Sequence, residues 1–194
     1  MSKLRRQVLT EALEDPDESV RMAAAQALER LEAVLGFEDI LQALKTGGRD
    51  QQIRALYSLE LIDSPKVFPP LLAALQVRDP DIRSTAVQVL GKKQNPQTLK
   101  NLVRHLQDPN PAVRVHTAEA LGFFPDRRLV PFLAGVLGED DAELVKSAIH
   151  SLGRIAAPEA ETELAALLKH PRPGIRQAAA EALGRLRLEE AKSP

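Results

Sequence analysis

The chain has 194 residues, with 26 basic and 27 acidic side chains, so its formal net charge is −1. It contains no Cys and no Trp, and Tyr57 is its one tyrosine. Disulfides, thiol catalysis and cysteine-ligated zinc are therefore excluded. The balanced charge and the scarcity of aromatic rings argue against nucleic-acid or membrane binding. We expect a cytoplasmic protein, because no apolar run approaches the ~20 residues that span a bilayer.

The sequence repeats at an interval of 31 residues. Six leucines mark the repeat: Leu28, Leu59, Leu90, Leu121, Leu152 and Leu183. Small or apolar residues stand four and, in most repeats, eight positions before each leucine, and four leucines are followed directly by glycine. Two more apolar columns precede each leucine by 19 and 15 positions. Spacings of three and four residues place side chains on one helix face, so each unit predicts two amphipathic helices, A and B.

Proline and capping residues predict where these helices begin. Helix B of the first repeat follows Asp15-Pro16 and is expected to run on to Gly36, because no Pro interrupts the segment from Glu29 to Leu35. Later A helices are expected to open at Ser64-Pro65, Asn95-Pro96, Asp126 and Pro158. Later B helices follow Asp79-Pro80, Asp108-Pro109 and His170-Pro171.

A single helical hairpin cannot bury its apolar stripe, so neighbouring hairpins must stack. We therefore predict an all-α protein, an α-α superhelix or solenoid of six helical hairpins and about twelve helices. The single repeat domain is expected over 1–186, in units of about 1–31, 32–62, 63–93, 94–124, 125–155 and 156–186. Residues 187–194 are expected to form a short C-terminal tail.

The stretch Asp108-Pro-Asn-Pro-Ala-Val-Arg-Val-His-Thr-Ala-Glu-Ala-Leu-Gly122 resembles the HEAT-like repeats of the phycobilisome-lyase type. The segments 15–31 and 170–186 are similar to it, and the resemblance extends over all six units. It implies an interaction scaffold whose B helices line a concave surface. A minority of such proteins are bilin lyases or metal enzymes.

The resemblance also implies an arginine after the first apolar position of helix B, which is found at Arg21, Arg83, Arg114 and Arg176. One interpretation is a ladder of guanidinium groups that binds a partner. The interpretation we favour is pairing between repeats, with acidic loop residues as partners: Asp15, Asp17, Asp79, Asp81 and Asp108. Gln52 and Val145 interrupt this column, so the joints at these two repeats are expected to be looser.

Catalytic motifs are absent from the sequence. It has no phosphate-binding glycine loop, no Gly-x-Ser-x-Gly and no His-Glu pair. His116, Glu119 and His150 could converge as metal ligands, yet neighbouring B helices are expected about 10 Å apart. We expect no enzyme activity, no cofactor and no metal, and we expect the four histidines to be solvated surface residues.

Helix B of the second repeat carries a second apolar stripe, Ile53, Tyr57 and Leu61, opposite its core stripe. Val115 and Phe123 occupy two of the same columns in the fourth repeat. Two interpretations remain open. A register slip of two residues would make Ile53 and Leu61 core residues, whereas an exposed apolar patch would mark an interaction site.

These patterns predict a non-enzymatic scaffold that binds a partner protein, of unknown identity, on its concave surface. Eight residues are expected to contact the partner: Ile53, Arg54, Tyr57, Leu61, Lys92, Val115, His116 and Phe123. The alternative is a bilin lyase or an accessory factor of the same repeat family. We expect a monomer, while self-association through the alanines of the last B helix is a third possibility: Ala178, Ala179, Ala180 and Ala182.

Overall fold

The structure is a computed structural model that describes residues 2–186. Every regular element in this range is helical, and the range contains no strand. Twelve α-helices are found: α1 (Ser2–Glu11), α2 (Glu18–Leu35), α3 (Phe37–Thr46), α4 (Arg49–Glu60), α5 (Phe68–Ala74), α6 (Pro80–Lys93), α7 (Leu99–Arg104), α8 (Pro111–Leu121), α9 (Val130–Ala134), α10 (Ala142–Ile155), α11 (Glu161–Leu167) and α12 (Pro173–Leu183). The predicted all-α array of helical hairpins is confirmed, while the predicted tail 187–194 lies outside the described residues.

The A helices of the later repeats begin at the predicted caps, each through a short 3₁₀ turn. These turns are Pro65–Val67, Pro96–Thr98, Arg127–Leu129 and Pro158–Ala160. The side chains of Ser64, Asn95 and Asp126 accept hydrogen bonds from the amides of the first turn, at 3.3, 3.0 and 3.0 Å. A proline at the first position loses no hydrogen bond there, because that amide has no partner within a helix.

The B helices use aspartate in two ways. Asp79 caps α6 directly, as its carboxylate accepts from the amides of Asp81 and Ile82. In the first and fourth repeats the helix begins two residues after the proline of the Asp-Pro pair, and the caps are Asp17 and Asn110. The earlier aspartates, Asp15 and Asp108, each accept from the amide of that cap residue at 2.9 Å.

The chain forms two compact units, Met1–Ala73 and Ala74–Pro194, of which the structure describes 2–73 and 74–186. The first unit contains α1 to α4 and the second contains α6 to α12, while α5 ends at the division. The expectation that 1–186 form one repeat domain stays a prediction.

In the second unit the repeat columns form the core. Leu90, Leu121 and Leu152 are fully buried. The position four residues earlier is buried as well, and Thr117 stands there in the fourth repeat, where its hydroxyl donates to the Val113 carbonyl at 2.7 Å. Leu168 of the last repeat is 42% exposed, because this end hairpin has a described neighbour on one side only.

The first unit buries less of its predicted stripe. Ala24, Ala55 and Leu59 are buried, whereas Leu28 is half-buried and Val20 is 39% exposed. Helix α2 continues to Leu35, with Gly36 as its C-cap, as the missing proline predicts.

Glycine permits direct contact between successive B helices of the second unit. A Cβ atom added to Gly91 would lie 2.7 Å from the Cβ of Ala120, and one added to Gly153 would lie 3.0 Å from the Cα of Ala182. At Gly122 it would lie 2.8 Å from the Cα of Ser151. Real Cβ atoms essentially never approach as closely as those at Gly91 and Gly122 would, so glycine is required there, whereas at Gly153 a Cβ would need the neighbouring helix to shift slightly.

The arginines that recur in one column of the B helices are structural, and each closes the turn that precedes its own helix. The Arg83 guanidinium donates to the carbonyls of Val77 and Arg78 at 2.9 and 2.7 Å. Arg21 and Arg176 make the equivalent pairs of bonds, and Arg114 donates to the Asp108 carbonyl at 3.1 Å. These carbonyls follow the end of helix A and would otherwise lack a partner.

Two of these arginines also join neighbouring repeats. Arg83 forms a two-pronged ion pair with Asp108, with both N–O distances 2.8 Å and both side chains nearly buried. Arg114 reaches Asp141 at 3.5 Å. In the second repeat the side-chain Nε2 of Gln52 donates to the Leu44 carbonyl at 3.0 Å, which replaces part of the arginine's role. In the fifth repeat Val145 is buried as a core residue.

The Asp108 carboxyl is shifted by its surroundings. Burial alone raises its pKa, but the hydrogen bond from Arg83, the amide of Asn110 and the nearby positive charge outweigh burial, so its pKa lies below the ordinary value of 3.8. A lowered pKa in the folded state stabilises the protein above the pKa of the unfolded chain. That contribution is lost as the pH falls through the folded-state pKa.

We expect Asp108→Asn to lower the free energy of unfolding by about 3 kcal/mol at pH 7, because it leaves a nearly buried guanidinium without its carboxylate. The variant's deficit should shrink as the pH falls below 3.8, because the stabilisation from the lowered pKa is lost progressively between the unfolded-state and folded-state pKa values. Urea unfolding at pH 7 and at a series of pH values below about 4 measures both. Asp140→Asn, at an exposed loop position, is the control. Equal losses in the two variants at pH 7 would contradict the assigned pairing.

We expect Gly122→Ala to cost about 1–3 kcal/mol of stability, because its Cβ must push α8 and α10 apart. Gly184→Ala occupies the same column in the last repeat, where the nearest atom to the added Cβ is 3.6 Å away. This control should change stability by less than about 0.5 kcal/mol. Similar urea midpoints for the two variants would show that the close helix contact does not exist.

Candidate protein-binding surfaces

We define the B-helix surface of each unit as the exposed side of its B helices. In the second unit, helix α8 and the turn after it place three of the predicted side chains there, Val115, His116 and Phe123. Phe123 is 40% exposed, while Val115 and His116 are half-buried. Glu119 lies between them and is exposed. The residues that the 31-residue interval assigns away from the core are therefore accessible.

Phe123 is held by a cation that the sequence reasoning missed. The guanidinium carbon of Arg154 lies 5.1 Å from the centre of the Phe123 ring, a cation–π contact. Arg154 occupies the same column one repeat later, so the interval itself contained the signal. Lys92 and Arg185 hold this column in the third and sixth repeats, and both are exposed. One aromatic ring thus stands in a column that is otherwise cationic within this unit.

The histidines do not gather into a metal site. His116 Nδ1 lies 3.3 Å from Glu119 Oε2, and the Ser147 hydroxyl donates to the other carboxylate oxygen at 3.5 Å. His150 is exposed, and no group of three potential ligands is found within residues 2–186. The expectation of surface histidines is wrong for His105, which is buried with its ring nitrogens against the carbonyls of Asn101 and Leu75.

In the first unit, helix α4 has a core face and an accessible face. Leu56 and Leu59 are fully buried, whereas Tyr57 is 43% exposed. Ile53 and Leu61 are half-buried, and Arg54 is exposed. The burial pattern follows the 31-residue register, since a slip of two residues would have buried Ile53 and Leu61 in place of Leu59.

Leu61 forms part of a groove that the sequence did not predict. The groove has a volume of about 610 Å³ and lies among α2, α3 and α4. Its apolar lining includes Leu28 and Ile40, and its acidic lining residues include Glu29 and Asp39. Another lining residue, Glu32, pairs with Arg6 at 2.8 Å.

The groove has a local cause. Glu29 stands in the column that carries glycine in the second unit, so α2 and α4 cannot approach as α8 and α10 do. Helix α2 also runs to Leu35, and only Gly36 separates it from α3. The signal in the sequence was the glutamate in the glycine column, but the resulting volume depends on three helices at once.

The alanines of the last B helix are largely internal. Ala178, Ala179 and Ala182 are buried, and Ala182 contacts the backbone at Gly153 of α10. Only Ala180 of the four is exposed. The smooth alanine surface that suggested self-association is therefore mostly part of the core.

No helix within residues 2–186 combines the length and the apolar character needed to cross a bilayer.

Helical hairpins that recur at a fixed interval along the chain define a repeat solenoid, a class whose members are typically protein-interaction scaffolds. A sequence model of HEAT repeats matches residues 68–153 and 146–194, and one of the single HEAT repeat matches residues 6–35. Since these matches cover more than half of the chain, the protein belongs to the HEAT repeat family. No curated protein matches the sequence of this chain.

Solved structures share the architecture at low sequence identity. The complex of CpcE and CpcF of phycocyanin lyase from Nostoc sp. PCC7120 aligns with a TM-score of 0.65 and 16% identity, covering 77% of this chain and 98% of that one. An archaeal HEAT-like repeat protein from Thermococcus onnurineus NA1 aligns at 0.55 and 17%, covering 94% and 87%. A designed armadillo repeat protein in complex with the peptide (KR)4 aligns at 0.58 and 16%, covering 94% and 99%. These similarities show the fold.

We expect neither EDTA nor added Zn²⁺ to change the melting temperature, because His116, Glu119 and His150 are not arranged as ligands. Thermal unfolding after dialysis against EDTA, with and without one equivalent of Zn²⁺, measures this. A large drop that Zn²⁺ restores in the wild type but not in His116→Ala would contradict the arrangement described.

Proposed function

We propose that this HEAT repeat protein is a non-enzymatic scaffold that binds a partner protein through its B-helix surfaces. The observation that carries the proposal is Phe123, a large apolar side chain that is 40% exposed in a family of folds built to present such faces. The Arg154 guanidinium lies over its ring.

The charges around Phe123 are mixed. Cationic Lys92 and Arg154 occupy its column. Glu119 lies nearby, and its carboxylate accepts a hydrogen bond from the Ser147 hydroxyl. Such a surface does not select a partner by net charge. We infer that an apolar side chain of the partner packs on Phe123 and Val115, and that polar groups at the edge, including His116, set its orientation.

The first unit offers a separate surface of the same kind. Tyr57 combines an apolar ring with a hydroxyl, a combination common at the centre of interfaces. Ile53 and Arg54 lie on the same helix as Tyr57, α4. Leu61, the residue after this helix, lines the 610 Å³ groove. We propose this patch as a second contact area, to be tested independently of Phe123.

The similarity to a phycocyanin lyase subunit bears on the fold, at 16% identity. The alternative of a bilin lyase or accessory factor predicts that a free bilin changes its absorption spectrum when it is mixed with the protein. The scaffold proposal predicts no change. A cytoplasmic location and a monomeric state belong to the same proposal.

We expect Phe123→Ser to weaken the complex by about 2–4 kcal/mol, the usual size for an anchor residue at an interface. The partner is first identified by cross-linking in the native source, and its affinity is then measured by calorimetry with purified proteins. Tyr57→Ala, tested alone, should weaken the complex by a similar amount if the first unit also contributes.

Leu168→Ser is the matched control, because Leu168 is 42% exposed but lies after helix α11. It should bind as the wild type does. All three variants should remain folded, with the free energy of unfolding in urea lowered by less than about 2 kcal/mol, because each truncated side chain is only partly buried. If Phe123→Ser unfolds the protein, Phe123 is a core residue. If it folds and binds normally, the B-helix surface of the second unit is not the binding site.

A further inference from the structure

A second groove lies on the A-helix side of the second unit. It has a volume of about 460 Å³ and is formed by α7 and α9 together with the turns before them. Four apolar side chains and two cations define its character: Leu99, Val103, Leu129, Phe132, Lys100 and Arg104. None of these residues belongs to the B-helix surface.

The apolar part of the groove is incompletely covered. Leu99 and Leu129 are buried and form its base, while Val103 is half-buried. Phe132 is 49% exposed and faces the same space. Half of a phenylalanine ring beside an open volume is apolar surface that a further apolar side chain would remove from water.

The groove also carries positive charge without local compensation. Lys100 and Arg104 are four residues apart on α7, both are exposed, and neither forms an ion pair or a side-chain hydrogen bond within residues 2–186. The segment 94–107 contains no carboxylate at all. The two cations therefore project toward solvent with nothing of opposite charge on their own helix.

One carboxylate lines the groove, and it is already neutralised. Asp126 receives hydrogen bonds from Arg128, with Nη2–Oδ2 at 2.7 Å and Nε–Oδ1 at 3.0 Å. This contact lowers the pKa of Asp126 and keeps it ionised. The neighbouring Arg127 is directed to Glu159 at 3.4 Å. The net charge available to a ligand is thus that of Lys100 and Arg104.

We propose that this groove binds an acidic segment of a partner protein, with an apolar side chain against Phe132 and carboxylates on Lys100 and Arg104. The charge is complementary to such a segment, and the recessed apolar volume accepts a side chain better than it accepts a flat membrane. The site lies on different helices from the surface assigned above, so either assignment can fail alone.

The test begins with a random peptide library displayed on phage and selected against the full chain. Selection is repeated against the charge-reversed double variant Lys100→Glu/Arg104→Glu. Peptides enriched on the wild type but not on the variant should combine Asp or Glu with Phe, Leu or another large apolar residue. The absence of such peptides would overturn the proposal.

The best peptide is then labelled and its affinity measured by fluorescence anisotropy. Phe132→Ser and the double charge reversal should each weaken it by about ten-fold or more, and added salt should weaken it further. Leu168→Ser and Lys169→Glu, at exposed positions outside the groove, are the matched controls and should bind normally. Urea midpoints confirm that each variant is folded. If Phe132→Ser does not fold, the charge reversal at exposed positions still decides the outcome.

Three other results would overturn the assignment. Loss of peptide binding in Phe123→Ser, with no loss in Phe132→Ser, would move the site to the B-helix surface. Sedimentation of the wild type, but not of the charge-reversed variant, with vesicles of anionic lipid would assign the groove to a membrane. A molecular mass that rises with concentration and falls in the variant would assign it to a second copy of the chain.

Discussion

The close contact between successive B helices is the constraint on which the second unit depends. At Gly91 and Gly122 the next helix occupies the space that a Cβ atom would need, and at Gly153 it leaves a Cβ only a tight fit. Because the helices are so close, the buried leucines and alanines of adjacent repeats form one core. The close approach also leaves the buried Ser151 hydroxyl close enough to donate to the Ala118 carbonyl at 2.7 Å. A larger residue in the glycine column would push the helices apart and weaken both the apolar packing and this hydrogen bond.

The first unit shows what happens without that contact. Glu29 stands in the glycine column and lines a groove of about 610 Å³, and Leu28 beside it is only half-buried, although Leu59 is fully buried. The turn before helix B is closed in this unit as well, because Arg21 donates hydrogen bonds to the carbonyls of Asp15 and Pro16. Turn closure is therefore a property of each hairpin, whereas core density depends on pairs of hairpins.

Repeat architecture explains why accessible apolar residues point to binding in this protein. Each helix uses one face to contact its neighbours, so side chains on the remaining faces are free of a packing role. Phe123, in the turn after α8, and Phe132, on α9, are accessible side chains of this kind, and their surroundings differ. Mixed charge surrounds Phe123, while uncompensated cations stand beside Phe132. We therefore assign them to different ligand chemistries.

The 31-residue interval, the prolines and the caps determined by themselves the helical class, most helix boundaries and the buried columns of the second unit, because capping and periodicity are local properties of the chain. They also placed Tyr57 and Phe123 outside the core. Only the tertiary structure decided that Arg154 stacks on Phe123, that Arg83 pairs with Asp108 and that His105 is buried. It alone revealed the two grooves. Such features depend on distances between side chains from separate repeats, and these follow from how closely whole helices approach, which no local pattern encodes.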